Sequence, residues 1–347
     1  MVDVAVLGAT GYAGAEVLRI LTRHPAVRVT YLGAHSQVGT PLVAHHPQLA
    51  GYPWPDGGIL GPTDVERVAE RAEVAVLALP SRVSGQVAHA LAARGVRVVD
   101  LSGDLRLPAD AYREWYGAEP VDPALQAEAI YGLTEWARSD IGPTTRVVSN
   151  PGCYATAVAM ALLPLNRAGV VDADSVVVDA KSGISGAGRG ATLSGQLAEL
   201  EENMWAYRVG RHQHVPEIEQ ALARWGRTPW RVHLVTHVIP AARGILATAH
   251  ARLLGTADDV ADAFFRAYAD EPFVRVLPPG ELPTMKAVRG SNRVDIGFAV
   301  DPRLGRLVVV AVLDNLVKGA AGQAVQNLNR MIGVAEETAL DRVGWTA

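Results

Sequence analysis

The first 25 residues constrain the fold more than any other part of the chain. An apolar run, "VDVAVLG", ends in glycine and leads into "ATGYAGAEVLRILTRHP". In this second stretch Val17, Leu18 and Leu21 recur at helical spacing, and Pro25 ends the pattern. The order of these features predicts a strand, a tight turn and a helix.

Three further apolar runs extend this pattern along the first part of the chain. They cover 27–32, 74–79 and 96–101, and a helical pattern, "SGQVAHALAARG", separates the last two. Alternating strands and helices predict a doubly wound parallel sheet, so we expect residues 1–150 to form an N-terminal α/β domain of Rossmann type.

The pattern changes after residue 150. A helix is predicted from Cys153 to Arg167, and the strand-like runs that follow are separated by long loops: "SVVVDA", "RVHLVTHVI", "RVDIGFAV" and "RLVVVAVL". Strands separated by long loops predict an α+β second domain over 151–315 with a mostly antiparallel sheet. Residues 316–347 are expected to hold a C-terminal helix that returns to the first domain.

Composition excludes several classes of partner. Charged residues make up 20% of the 347 residues and the formal net charge is −4, which argues against binding of nucleic acid or an anionic membrane. The longest apolar stretch, around 155–165, is too short to span a bilayer, and Met1 runs directly into a strand pattern without a leader-like segment. We therefore expect a cytoplasmic protein that binds small molecules. The single cysteine excludes an intramolecular disulfide, and no metal site is expected.

The glycines of "GATGYAG" lie where the first strand is followed by the first helix. A chain that turns sharply there can approach a pyrophosphate closely and present helix N-terminal amides to its charge. Such glycines can also serve only to pack a helix on a strand, but their place in the first strand-turn-helix unit favours a dinucleotide site. The predicted contacts are Gly8, Thr10, Gly11, Tyr12, Ala13 and Gly14.

The end of the second predicted strand indicates which dinucleotide binds. An NAD site usually has an acidic residue there, whereas "YLGAHSQVG" offers His35, Ser36 and Gln37 and no carboxylate. A 2′-phosphate is repelled by an acid and accepted by hydroxyl and amide donors. The sequence favours NADP, with Ser36 as one contact.

Cys153 is predicted to be a nucleophile, although a lone cysteine is more often a small buried apolar residue. The stretch "SNPGCYATA" places its sulfur at a helix N-terminus, where the dipole and free amides stabilise a thiolate and an adjacent oxyanion.

The segment "RHQHVPEIEQ" supplies candidate partners for the thiol. On an extended segment His212 and His214 point to opposite sides, so only one is expected to face Cys153, and the sequence leaves open which one. Glu217, in a first helical turn, is expected to orient that imidazole. Two surface histidines before a helix are the alternative interpretation.

A glycine- and serine-rich stretch, "DAKSGISGAGRG", is predicted to be a strand followed by a flexible loop. Its hydroxyls, its backbone amides and Arg189 suit a substrate carboxylate or phosphate.

Together these segments resemble the N-acetyl-gamma-glutamyl-phosphate reductase family nearly end to end. The similar motifs are "GATGYAGAE", "DLSGDLRL", "YGLTE", "SNPGCYAT", "SGISGAGR", "HQHVPEI", "PAARGILAT", "EPFVRVLP", "GSNRVDIG" and "DNLVKGAAGQAVQN". The resemblance implies NADPH-dependent reduction of N-acetyl-L-glutamyl 5-phosphate to the 5-semialdehyde, through a cysteine thioester, in arginine biosynthesis by a homodimer or homotetramer.

The resemblance also implies roles for individual residues. Cys153 becomes the nucleophile, and the His212/His214 segment supplies the acid-base group. Further cofactor contacts are implied at Pro80, Ser182, Gly183, Gly186 and Asn315. Substrate contacts are implied at Asn150, Ser185, Arg189 and Arg243.

The chain departs from the family pattern at a few positions. Gln213 stands where the family has arginine, and Arg211 is a candidate to replace that guanidinium. The family's "ALPHG" reads "ALPSR" at 78–82. Two enzyme alternatives remain, acting on aspartyl phosphate or on a carrier-linked aminoadipyl or glutamyl phosphate. A different class, an NADP-binding redox sensor, would not need a helix-capped cysteine with a histidine pair.

Overall fold

Two β-sheets organise the chain in the computed structural model, which describes residues 1–190 and 192–345. The first sheet belongs to a unit formed by Met1–Pro151 and Ala320–Leu340. The second belongs to a unit formed by Gly152–Gly319 together with 341–345.

The described strands are, in chain order, β1 (Val2–Leu7), β2 (Val27–Gly33), β3 (Val74–Leu77), β4 (Arg97–Asp100), β5 (Ile130–Tyr131), β6 (Val147–Ser149), β7 (Val177–Gly183), β8 (Trp205–Tyr207), β9 (His233–Ile239), β10 (Ile245–Arg252), β11 (Val274–Val276), β12 (Val294–Asp301) and β13 (Arg306–Leu313).

The described α-helices are, in chain order, α1 (Tyr12–Leu21), α2 (Leu42–His45), α3 (Val65–Arg71), α4 (Val83–Ala92), α5 (Ala109–Tyr116), α6 (Pro123–Glu128), α7 (Thr134–Ala137), α8 (Cys153–Ala168), α9 (Leu197–Leu200), α10 (His214–Trp225), α11 (Ala257–Tyr268), α12 (Met285–Val288) and α13 (Gly322–Met331).

The first unit holds a parallel six-stranded sheet in the order β2-β1-β3-β4-β6-β5. Its central strands are apolar on both faces: Val4, Ala5, Val6 and Leu7 are all fully buried. Burial on both faces explains why these strands read as continuous apolar runs. The strand order reverses between β1 and β3. In sheets of this kind, ligands bind in the crevice outside the carboxyl ends of the two strands where the order reverses.

The second unit holds a mixed seven-stranded sheet in the order β11-β12-β13-β10-β7-β9-β8. Most neighbouring strands are antiparallel, while β7 pairs with β9, and β11 with β12, in parallel. Helix α8 is apolar nearly all round and packs against α10, α11, β10 and β13. This packing fixes the position of its first residue, Cys153.

The predicted fold class is confirmed in both units. Strand β10, at the centre of the second sheet, was not predicted, although its alternating burial follows the apolar-polar alternation of "ILATAHAR". No helix in the described part of the chain combines the length and apolar character that crossing a membrane requires.

Candidate active site

Cys153 lies at the first residue of α8 and is partly exposed. It lines a pocket of about 470 Å³ in the second unit. Gly152, at the N-cap, has an extended backbone and no side chain to cap the helix. The amides of the first turn and the positive end of the helix dipole therefore act at the site of the sulfur.

The two histidines both line this pocket, so the expected extended segment with opposed side chains is wrong. His214 is the first residue of α10, and its backbone N–H donates to Nδ1 of His212 at 3.1 Å. The turn that makes this bond possible brings the two rings to 4.7 Å between centroids, edge to face.

His212 is buried and uncharged. The pKa of His212 is lowered to about 3. Burial of the ring is the largest cause, and the nearby charges of His214 and Arg208 add to it. Because Nδ1 accepts the N–H of His214, the neutral ring carries its proton on Nε2. Edge contacts with Tyr154 and Tyr207 hold the ring in place.

The imidazole of His214 packs against the backbone that precedes the thiol. A Cβ atom placed on Gly152 would lie 2.2 Å from Nε2 of His214, so only glycine fits there. The side chain of His214 is 15% exposed, which leaves the ring accessible from the pocket.

Glu217 contacts the backbone at the start of α8 as well as the imidazole. Its carboxylate is fully buried, and Oε2 accepts the backbone N–H of Gly152 at 2.9 Å. Oε1 lies 3.8 Å from Nε2 of His214, which is too long for a hydrogen bond between these atoms. Glu217 therefore links the helix of His214 to the helix of Cys153.

Tyr154 and Tyr207 complete the pocket, and the sequence reasoning missed both. Tyr207 donates to the hydroxyl of Tyr154 at 3.3 Å, and Tyr154 donates to the carbonyl of His237 at 3.1 Å. Burial raises the pKa of each phenol, so both stay protonated at neutral pH. Tyr154 directly follows the cysteine in sequence, which was a usable signal. Tyr207 has no such local signal.

A guanidinium also lines the pocket, and it belongs to Arg208. The candidate from sequence, Arg211, is not among the lining residues. Arg208 donates a hydrogen bond to Gln213, which occupies the position where the resembled family has arginine. Arg208 therefore supplies a cationic residue to the pocket lining despite the substitution at 213.

The predicted flexible loop is partly regular structure. Ser182 and Gly183 are the last residues of β7, and a single 3₁₀ turn covers Ile184–Ala187. Ser182, Gly183 and Gly186 line the pocket. Arg189 is exposed and lies outside the lining residues.

Asn315 is buried inside the second unit. Its Oδ1 accepts the N–H of Gly244 at 2.7 Å, and its Nδ2 donates to Oγ of Ser185 at 3.0 Å. These bonds engage the carboxamide that was expected to contact a nicotinamide. The structure gives this side chain, and Ser185 with it, a role in holding the turn after β7.

Two predicted substrate contacts also have partners within their own units. In the first unit Asn150 is fully buried, donates to the carbonyl of Ala320 at 3.2 Å and accepts from Asn327 at 3.0 Å. In the second unit a guanidinium nitrogen of Arg243 lies 3.6 Å from Asp314, and its guanidinium lies 5.1 Å from the ring centroid of Trp345.

The glycine turn of the first unit has the form that a dinucleotide pyrophosphate requires. Gly8 has a φ of 88°, and a Cβ atom there would lie 2.3 Å from the carbonyl oxygen of Ala78. A Cβ on Gly14 would lie 2.2 Å from the carbonyl oxygen of Gly8. Gly11 is the N-cap of α1, so no side chain covers the first amides at this end. The residues present fit a phosphate group.

The remaining predicted cofactor contacts lie around this turn. Tyr12 and Ala13 begin α1, and the carbonyl of Thr10 contacts Nε2 of His46 at 3.0 Å. Ser36 is exposed beyond the end of β2, and Pro80 is exposed in the loop after β3. All of them follow strands of the parallel sheet at its carboxyl edge.

Comparison with known proteins identifies both units. Residues 3–143 match the family model of the semialdehyde dehydrogenase NAD binding domain, and residues 153–315 match the semialdehyde dehydrogenase dimerisation domain. An N-acetyl-gamma-glutamyl-phosphate reductase of Geobacillus sp. (strain WCH70) is 45% identical over 97% of this chain and 98% of its own length. One of Bacillus anthracis is 41% identical over 98% of both chains. The chain belongs to the N-acetyl-gamma-glutamyl-phosphate reductase family.

Members of this family are oxidoreductases built from semialdehyde dehydrogenase domains, and solved structures agree on the fold. Aspartate semialdehyde dehydrogenase II of Vibrio cholerae aligns with a TM-score of 0.71 at 18% identity, covering 96% of this chain and 98% of its own. The enzyme of Francisella tularensis aligns with a TM-score of 0.68 at 15% identity, covering 95% and 99%. The family resemblance found in the sequence is confirmed, and the first unit is a nucleotide-cofactor domain.

Proposed function

We propose that this reductase-family protein reduces N-acetyl-L-glutamyl 5-phosphate to N-acetyl-L-glutamate 5-semialdehyde with NADPH, as a step of arginine biosynthesis. The observation that carries the proposal is the pocket that Cys153, at a helix N-terminus, lines together with His212 and His214. Identity of 45% to a named reductase over nearly the full chain supports the choice of substrate.

Cys153 acts as the nucleophile in the proposed reaction. His214 accepts the thiol proton, and the thiolate sulfur attacks the acyl carbon of the substrate. The bond from that carbon to the phosphate oxygen breaks, phosphate leaves and a thioester forms on Cys153. The first-turn amides of α8 stabilise the oxyanion that forms during the attack.

A reduced nicotinamide, when bound, supplies the hydride that converts the thioester to the aldehyde level. The residues of the pocket then assist release of the product. The carbon-sulfur bond breaks, the carbonyl of the semialdehyde forms again, and His214 returns a proton to the sulfur of Cys153. Tyr154 and Tyr207 stay protonated, so neither phenol adds a negative charge beside the thiolate.

We assign the acid-base role to His214 rather than His212. A ring with a pKa of about 3 stays neutral during turnover near neutral pH and cannot cycle its proton there. His212 instead accepts the backbone N–H of His214 and fixes the start of α10. Arg208, which lines the pocket, would bind the α-carboxylate of the substrate.

We further propose that the cofactor is NADP and that residues 1–150 hold it. Gly8, Gly11 and Gly14 would accommodate the pyrophosphate, and exposed Ser36 would face the 2′-phosphate. No carboxylate lies within the stretch 31–39, where an NAD site usually carries one. Residues 151–315 would carry catalysis and association into a homodimer or homotetramer. Of the segment 316–347 that was expected to return to the first domain, only Ala320–Leu340 belongs to the first unit, while 316–319 and 341–345 belong to the second. A cytoplasmic location remains a prediction.

An assay in the reverse direction tests the proposal and separates it from its rivals. The purified protein is given N-acetylglutamate 5-semialdehyde, NADP and phosphate, and formation of reduced nicotinamide is followed by absorbance. We expect turnover that requires phosphate, prefers NADP to NAD and is absent with aspartate 4-semialdehyde. Cys153→Ser should bind NADPH without turnover. Equal activity with aspartate semialdehyde would contradict the substrate assignment, and activity of the serine variant would contradict the nucleophile.

A further inference from the structure

Arg82 has a backbone conformation that an arginine rarely adopts. Its φ is 73° and its ψ is −46°, immediately before the first residue of α4. An L-residue with a side chain is strained in this region of φ/ψ space, which resembles the rare γ-turn conformation, whereas glycine is not.

A buried carboxylate keeps Arg82 in this conformation. Oδ2 of Asp104 accepts the backbone N–H of Arg82 at 2.6 Å and that of Gly85 at 2.8 Å. Oδ1 of Asp104 accepts the hydroxyl of Tyr112 at 2.9 Å. The bond to residue 82 uses a backbone N–H that glycine would supply equally well. This bond to Asp104 therefore does not depend on the arginine side chain.

The loop that carries Arg82 lies beside the glycine turn of the same unit. It follows β3, whose neighbour β1 leads into Gly8, and the N–H of Ala78 donates to the carbonyl of Leu7 at 2.8 Å. The carbonyl oxygen of Ala78 is the atom that a Cβ on Gly8 would meet. Arg82 is four residues beyond Ala78, so the Cα atoms of these two residues lie within about 14 Å of each other. The long side chain of Arg82 extends further from its own Cα. The strand order reverses between β1 and β3, so both loops border the ligand crevice.

The guanidinium of Arg82 is available for a ligand. The residue is exposed, and its guanidinium has no hydrogen bond or ion pair among the described residues, although its positive charge acts through space on the hydroxyl of Tyr112 in the same unit. A strained, non-glycine residue at a functional edge indicates that its side chain is used, since strain of this kind persists at ligand sites.

We propose that Arg82 binds the pyrophosphate of the dinucleotide. This inference rests on the proposed function, because it requires a dinucleotide in the first unit. The pyrophosphate rather than the 2′-phosphate is the target because the adenosine half extends towards the end of β2. Strand β3 lies on the other side of β1, so its loop faces the phosphates and the nicotinamide half.

The test compares Arg82→Gly with Arg146→Gln, which removes a charge before β6, at the opposite edge of the same sheet. Dissociation constants for NADPH and NADH are measured by titration calorimetry, and stability by the urea midpoint. We expect Arg82→Gly to weaken both dinucleotides by the same factor, about tenfold, as for loss of a charge-assisted hydrogen bond. Its urea midpoint should rise, because strain is relieved. Arg146→Gln should leave both dissociation constants unchanged.

The outcomes separate this inference from the proposed function. If the unaltered protein binds neither dinucleotide, the proposed function fails. If it binds them and Arg82→Gly binds them equally well, the inference about Arg82 is overturned. A loss confined to NADPH would overturn the pyrophosphate assignment and place the contact at the 2′-phosphate. Arg82→Lys, which keeps the charge and the strain, should recover part of the affinity without raising the urea midpoint.

Discussion

The buried carboxylate of Glu217 accepts the backbone N–H of Gly152 at 2.9 Å, and this bond joins the two helices that carry the candidate catalytic side chains. Cys153 begins α8 one residue after Gly152, and His214 begins α10 three residues before Glu217. This hydrogen bond, across 65 positions of sequence, adds to the packing of α8 against α10 that holds the thiol and the imidazole in register.

Removing this link should impair catalysis through position rather than chemistry. Glu217→Ala leaves the N–H of Gly152 buried without its acceptor, so we expect a loss of about 1–3 kcal/mol in the free energy of unfolding. We also expect kcat to fall at least about tenfold, because misplacement of catalytic groups is costly. Glu217→Gln keeps an acceptor oxygen and should retain most of both quantities. Steady-state kinetics and urea unfolding measure them. Equal defects in the two variants would show that charge, and not position, is the contribution of Glu217.

Gly152 should tolerate no side chain. In Gly152→Ala the added Cβ would lie 2.2 Å from Nε2 of His214, so the imidazole must leave its present position. We expect a fall in kcat of about 10²-fold or more, in line with the loss of a general acid-base. Gly142→Ala is the matched control, because a Cβ there meets nothing within 4 Å. If the kcat of Gly152→Ala stayed near that of the control, the packing of His214 on this backbone would have no catalytic importance.

The two histidines should respond differently to the same substitution. His214→Asn removes the acid-base group, and kcat should fall by about 10²- to 10⁴-fold. In His212→Asn, the side-chain oxygen can still accept the N–H of His214, so the loss should be smaller. Binding of NADPH should be unchanged in both variants. Equal and mild losses would remove His214 from the acid-base role.

Acid should destabilise the protein through His212. The unfolded residue takes up a proton near its ordinary pKa of 6.5, whereas the folded residue does so only near 3. Between these values the unfolded state binds more protons, so the free energy of unfolding falls as the pH falls. Between these pH values, one such group lowers the free energy of unfolding by up to about 1.4 kcal/mol for each pH unit of acidification. Urea unfolding of the parent and of His212→Asn at several pH values below 6.5 gives the two slopes. The variant should show the shallower slope, and identical slopes would contradict a buried neutral His212.

The sequence predicted what local pattern determines. Strand β1, the glycine turn and α1 follow from apolar spacing and from the positive φ that Gly8 supplies, and the start of α8 at Cys153 follows from the preceding Pro-Gly pair. These features depend on residues close together in the chain, so periodicity and turn chemistry suffice to identify them.

Long-range contacts explain what the sequence could not predict. The turn at His212 is an exception, because it depends on a local bond from the N–H of His214, two residues along, that the assumption of an extended segment did not consider. The carboxamides of Asn150 and Asn315 are engaged by groups far along the chain, and no spacing rule reveals such partners. Tyr207 and Arg208 reach the pocket only because β8 pairs at the edge of the second sheet.

Trapping of the acyl-enzyme tests the central claim most directly. The protein is incubated with N-acetylglutamate 5-semialdehyde and NADP without phosphate, then quenched in acid and analysed by intact-protein and peptide mass spectrometry. We predict a mass increase of one N-acetylglutamyl group on the peptide that contains Cys153, removable by hydroxylamine and absent from Cys153→Ser. An unmodified Cys153 in protein that turns over the same substrates once phosphate is added would contradict a thioester mechanism.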